Sequence, residues 1–175
     1  THGFYLSEDE FNEFSNTDIF KSLSKNYNDL EDKELYRSAL LFAGINEIFS
    51  GTDMDSQGGE DGILTAKEIS MLNMSGVDLA VLSACQSGLG DISSEGVAGL
   101  QRGLKKAGAH TILATLWKVD DEATKLLMAE FYRNLSSGQS QSESLNQARK
   151  FLKEYDNGKY SSPFYWAPFI LIDAI

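Results

Sequence analysis

The only cysteine of the chain, Cys85, ends a strongly apolar run that begins at Asp78, and a polar segment with Gly88 follows it. In an open α/β sheet the carboxyl ends of the strands form the edge that binds ligands, so this thiol is predicted to face a substrate. His2 supplies an imidazole that can accept the thiol proton. The two residues together predict nucleophilic catalysis by a thiolate.

The chain has two histidines, and strand geometry decides between them. His110 begins one predicted strand while Cys85 ends its parallel neighbour, and about seven residues at about 3.3 Å each separate the two by about 20 Å. We therefore expect His2 to be the base, which lowers the thiol pKa and later protonates the leaving amine. We interpret His2 and Gly3 as the carboxyl end of a strand that is followed by a loop, and we expect this end to lie at the same sheet edge as Cys85.

Three further residues are candidates for binding substrate. Ser83 lies two residues before Cys85, so alternation along a strand places it on the same face as the thiol. Trp117 and Asp120 follow the next predicted strand, where an indole could wall a pocket and a carboxylate could receive a basic side chain. The alternatives are that Trp117 belongs to the core and that Asp120, or Asp121 beside it, caps a helix.

The elements that position these residues alternate between apolar strands and amphipathic helices, which predicts an α/β fold with a mostly parallel sheet covered on both faces. Segment 3–37 is predicted to be rich in loops with short helices. The predicted strands are 38–43, 78–84, 111–117 and 164–172.

Helix boundaries are predicted from capping residues. Thr65 with Glu68 and Ser140 with Glu143 are spaced as capping boxes, in which each side chain satisfies a backbone amide of the other. Helical spacing of apolar residues predicts further helices that end at Gly108 and Gly138, because glycine is favoured just past a helix.

Length and composition restrict the possible classes of protein. The chain has 175 residues with 42% hydrophobic content, which predicts one domain over residues 1–175. A net charge of −11 argues against direct binding of nucleic acid. No apolar run approaches the roughly 20 residues of a membrane span, and a single cysteine forms no internal disulfide, so we expect a cytoplasmic protein with no membrane contact.

A partial calcium-loop pattern is present, with Gly62 at the turn and Glu68 at the final ligand position. The first and third ligand positions would be Gln57 and Gly59, which leaves too few carboxylates. We therefore predict neither a metal site nor a cofactor.

Seven short motifs occur in order along nearly the whole chain: Thr1-His2-Gly3, 59–68, 81–90, 99–102, 116–124, 131–133 and 162–169. Together they resemble a CHAT domain, the caspase-like protease domain that is often joined to tetratricopeptide repeats. The resemblance implies a caspase-hemoglobinase-like three-layer α/β/α sandwich. It also implies a cysteine endopeptidase acting on a protein partner, with His2 and Cys85 as the dyad and the amides of Gly3 and Cys85 as the oxyanion hole.

Two expectations concern what lies outside these residues. Family members commonly carry repeats before this domain, so we expect N-terminal strands and repeat or regulatory segments that this chain lacks.

The principal alternative function is a catalytically silent scaffold or docking domain, and a third is a cysteine hydrolase or acyltransferase acting on small molecules.

Overall fold

The computed structural model describes residues 2–15, 33–42, 62–82 and 94–173. The chain divides into two compact units, one comprising Thr1–Ala80, Ala84–Ile112 and Ala174–Ile175 and the other comprising Val81–Ser83 and Leu113–Asp173. The described strands are β1 (His2–Tyr5), β2 (Ser38–Leu41), β3 (Ile63–Thr65), β4 (Leu79–Leu82), β5 (Thr111–Thr115) and β6 (Phe169–Asp173). The described helices are α1 (Glu8–Ser15), α2 (Lys33–Tyr36), α3 (Ala66–Met71), α4 (Ser94–Lys106), α5 (Asp121–Ser136), α6 (Gln141–Glu154) and α7 (Pro163–Trp166), with a 3₁₀ turn at Tyr155–Gly158.

The first unit contains a three-stranded sheet in the order β1–β2–β3, and both pairs of strands are antiparallel. His2 lies opposite Leu41, and Tyr5 lies opposite Ser38. The expectation of a loop directly after Gly3 is wrong, because β1 begins at His2 and continues to Tyr5. Arg37 holds the end of this strand: its Nε donates to the Leu6 carbonyl at 2.9 Å, and its guanidinium lies 4.9 Å from the centre of the Tyr5 ring.

Helices α3 and α4 of the first unit pack against one another. The predicted capping box opens α3, since Glu68 accepts from the Thr65 amide at 2.7 Å and the Glu68 amide donates to the Thr65 hydroxyl at 3.1 Å. Glu68 thus serves as a capping residue. Gly108 follows α4 with a φ of 100°, a left-handed conformation that confirms the predicted helix end.

The second sheet has the order β4–β5–β6. The His110 and Thr111 amides donate to the Val77 and Asp78 carbonyls at 3.0 and 3.2 Å, so the amino ends of β4 and β5 lie side by side. Ile112 is fully buried in the middle strand, as expected for a strand that is apolar on both faces. A mostly parallel sheet for the whole chain stays a prediction.

The second unit contains α5 and α6, which pack against one another. The predicted capping box at Ser140 and Glu143 is confirmed, and the apolar positions of α6 are buried: Leu145, Ala148 and Leu152. The prediction of one strand over 164–172 is wrong in its first half, where α7 forms instead. Ser162 caps this helix and Pro163 occupies its first turn, two local signals that outweigh the apolar character of the segment.

The contact between α3 and α4 generates a stability prediction. A Cβ at Gly103 would lie 2.5 Å from the Ala66 carbonyl oxygen. Gly103→Ala is therefore expected to lower the free energy of unfolding by about 1–3 kcal/mol, because overpacking outweighs the gain of about 1 kcal/mol that alanine has in a helix.

Urea unfolding followed by circular dichroism measures this effect. Gly76→Ala is the matched control, since a Cβ added at Gly76 would meet no atom of the described residues within 4 Å, and a change within about 0.5 kcal/mol is expected. An increase in stability for Gly103→Ala would contradict the close packing of the two helices.

Candidate active site

The structure describes only part of the predicted catalytic site. Cys85 and Ser83 lie outside the described residues, and β4 ends at Leu82, three positions before Cys85. The backbones of His2 and Gly3 lie in β1, where Gly3 is opposite Leu40. A shared edge for His2 and Cys85, and an oxyanion hole of two amides, remain predictions.

The exit of β5 carries an exposed group of large apolar side chains. We define the rim cluster as Leu116, Trp117 and Phe164, which are 48%, 40% and 53% exposed. The Trp117 Nε1 donates to the Phe164 carbonyl at 3.1 Å, and the Leu116 amide donates to the Pro168 carbonyl at 3.1 Å. Trp117 is therefore a surface residue rather than part of the core, and it is accessible to a ligand.

Asp120 caps helix α5. One of its carboxylate oxygens accepts from the Ala123 amide at 2.9 Å, and its carbonyl accepts from the Thr124 amide at 2.9 Å. The capping alternative for Asp120 is thus confirmed. Its side chain is exposed, so capping and contact with a substrate are compatible.

A polar cluster lies in the first turn of α5, one helical position beyond Asp121. The Tyr160 hydroxyl donates to Glu122 at 2.8 Å, and the Lys159 Nζ donates to the same carboxylate oxygen at 3.2 Å. The hydrogen bond from Tyr160, followed by that from Lys159, lowers the pKa of Glu122 below its ordinary value. This cluster joins the start of α5 to the segment that precedes α7.

Sequence reasoning missed this cluster and the role of Phe164. The aromatic rings of the C-terminal segment form a continuous series: Tyr155 with Tyr160, Tyr160 with Tyr165 and Tyr165 with Phe164, with ring centres 6.1, 5.1 and 5.6 Å apart. The density of aromatic residues around Ser162-Pro163 was the available signal, but only a helix starting there brings the rings together.

Membrane-spanning helices and metal-ligand groups are both absent from the described part of the chain. No helix in the described ranges combines the length and the apolar character needed to cross a membrane. Within the same ranges, no three side chains among histidine, cysteine, aspartate and glutamate are grouped as metal ligands.

Comparison with known proteins identifies the family. The model of the CHAT domain matches residues 1–174. The chain belongs to the CHAT domain family. CHAT domains are caspase-like and related to proteases, which agrees with the mixture of helices and strands in the described ranges.

Two relatives of this CHAT domain are tetratricopeptide repeat protein 28 of mouse (Mus musculus) and of human (Homo sapiens). They are 36% and 34% identical to it over 110 residues, which are 63% of this chain and 4% of each relative. The chain therefore corresponds to a small part of proteins whose names record only repeats. No solved structure matches this CHAT domain significantly.

The cap of α5 generates a second prediction. Asp120→Ala is expected to lower the free energy of unfolding by about 1 kcal/mol, because a helix amide loses its partner. Asp120→Asn retains a capping oxygen and is expected to change stability by less than about 0.5 kcal/mol. Thermal and urea unfolding of both variants measure the difference, and equal losses would contradict a capping role.

The polar cluster generates a prediction about acid pH. Because the folded-state pKa of Glu122 is lowered, its ionised form stabilises the fold above the ordinary pKa of 4.5, and this contribution disappears as the pH falls through the folded-state pKa. The stability difference between wild type and Glu122→Gln should therefore shrink between about pH 6 and about pH 3. Urea unfolding at several pH values measures it, with Glu154→Gln as the control for removing one exposed charge. A difference that stays constant with pH would contradict the assignment.

Proposed function

We propose that this CHAT domain is a cysteine endopeptidase that cleaves a protein partner, with Cys85 as the nucleophile and His2 as its base. The observation that carries the proposal is the family match over residues 1–174, which includes both residues. A thiolate beside an imidazole can attack a peptide carbonyl, and the imidazolium can then protonate the leaving amine. The backbone amides of Gly3 and Cys85 would donate to the oxyanion that develops during attack.

The proposed architecture is the three-layer sandwich with a mostly parallel sheet. The side-by-side amino ends of β4 and β5 support it, because neighbouring strands that start together also finish at one edge. Ser83 follows β4 in the sequence, and Trp117 follows β5. We propose that these two residues and Asp120 bind the substrate.

The proposed substrate is a protein, and N-terminal repeat or regulatory segments would present it to the domain. The relatives named for tetratricopeptide repeats support such a partnership, since the match covers 4% of their length and leaves room for repeats. A reduced Cys85 is needed for attack, so we also propose a reducing, cytoplasmic environment.

Cysteine labelling and cleavage together test the proposal. Wild-type protein within its full-length parent should cleave members of a peptide library, and Cys85→Ala should abolish cleavage while the unfolding curve stays unchanged. At neutral pH iodoacetamide should alkylate Cys85 about tenfold more slowly in His2→Ala than in wild type, because an imidazole lowers the pKa of a nearby thiol from about 8.5.

His110→Ala is the matched control, because His110 directly precedes the amino end of β5. Its Nδ1 lies 3.5 Å from a carboxylate oxygen of Asp78. The alkylation rate of this variant should equal that of wild type. Equal rates for wild type and His2→Ala, with no peptide cleaved, would refute the dyad and favour the silent scaffold. Cleavage of small esters but of no peptide would favour a small-molecule hydrolase.

A further inference from the structure

Helix α7 accepts a hydrogen bond from the indole of Trp117, yet it is too short to be stable without contacts to other elements. It spans four residues, Pro163–Trp166, and isolated helices of fewer than about 12 residues are marginal in water. The Trp117 Nε1 donates to the carbonyl of Phe164 within this helix. The orientation of the indole therefore depends on whatever anchors α7.

One anchor lies at the end of α7 and involves α6. The Lys153 Nζ lies 3.6 Å above the centre of the Trp166 ring, which is a cation–π contact, and the Trp166 indole donates to the Ser161 carbonyl at 3.1 Å. This anchor fixes the last residue of the helix. It leaves the side of α7 that carries Phe164 and Tyr165 to be fixed by another contact.

The second anchor is Tyr160. The residue is buried, with 3% of it exposed, and its ring packs edge to face with the Tyr165 ring at 5.1 Å between centres. Its hydroxyl donates to Glu122 in the first turn of α5. A short connection joins Trp117 to α5. Tyr160 therefore contacts both helices that restrain Trp117: α7, whose Phe164 carbonyl accepts the Trp117 N–H, and α5, which follows Trp117 in the chain.

We propose that Tyr160 is a positioning residue that sets the orientation of the exposed Trp117 indole through α7, so that the ring receives an apolar substrate side chain. The proposal rests on the proposed function in one respect, namely that Trp117 contacts the substrate. The Trp117 N–H already has an acceptor, so the apolar atoms of this 40% exposed residue are what remains for recognition. An apolar or aromatic substrate residue is the chemical partner of such a ring, since aromatic pairs stabilise beyond the area that they bury.

Fluorine NMR of protein labelled with fluorotryptophan tests the positioning step without any need for activity. The chain has two tryptophans, so two resonances are expected, and Trp117→Phe assigns them. Tyr160→Phe keeps the ring and removes the hydroxyl, and it should shift or broaden the Trp117 resonance. Lys153→Gln should do the same by loosening the other anchor of α7.

Tyr132→Phe is the matched control. Tyr132 lies on α5 and its ring packs against the Phe131 ring, so this variant removes a tyrosine hydroxyl away from α7 and should leave the Trp117 resonance unchanged. Glu122→Gln keeps an oxygen acceptor for the Tyr160 hydroxyl and should shift the resonance less than Glu122→Ala. A Trp117 resonance that is identical in wild type and Tyr160→Phe would overturn the proposal.

Cleavage kinetics test the recognition step. With peptides that carry an apolar residue at the recognised position, Tyr160→Phe should raise KM by about threefold to tenfold, the size of one hydrogen bond, while kcat stays unchanged. A lower kcat with an unchanged KM would overturn the proposal, as would an equal loss for peptides with and without the apolar residue. If wild-type protein cleaves no peptide, the proposed function fails, and the NMR result alone then decides whether Tyr160 positions Trp117.

Discussion

The burial of β5 is the constraint on which the second sheet depends. Ile112, Leu113 and Ala114 are 0%, 2% and 1% exposed, so the strand must be covered on both faces and paired along both edges. A shift of one residue in its register would move every side chain to the opposite face, where side chains of different size would have to fit a closely packed surrounding. The position at which the chain emerges from β5 is therefore well defined. Trp117 follows the last residue of β5 after only one intervening residue.

Beyond the end of β5, polar contacts act together with apolar burial to determine the structure. Asp120 satisfies an amide at the start of α5, and Glu122 in the same turn accepts from Tyr160. A buried tyrosine needs a partner for its hydroxyl, so this hydrogen bond restricts where the segment before α7 can lie. The segment that carries Phe164 of the exposed rim cluster is thereby tied, through the buried Tyr160, to the first turn of α5.

Predictions from sequence succeeded where the determining contacts are local. The capping boxes at Thr65 and Ser140 formed as predicted, since the partners are three residues apart and need no distant element. The same pattern at Ser7 and Glu10 went unnoticed, although it opens α1 with the same three hydrogen bonds. The extent of β1 beyond Gly3 was not predicted, because its pairing with β2 joins residues far apart in the chain. Helix α7 was misassigned because apolar residues alone do not distinguish a short helix from a strand.

The amino-acid sequence by itself determined the family, the candidate nucleophile and base, and most of the helix ends. Each of these depends on residue types and on the order of motifs along the chain, which are properties of the chain before it folds. Only the tertiary structure decided that Trp117 is exposed, that its N–H is held by the Phe164 carbonyl and that Tyr160 bonds to Glu122. These contacts join residues 38 to 47 positions apart, and no local preference specifies which distant groups meet when a chain becomes compact.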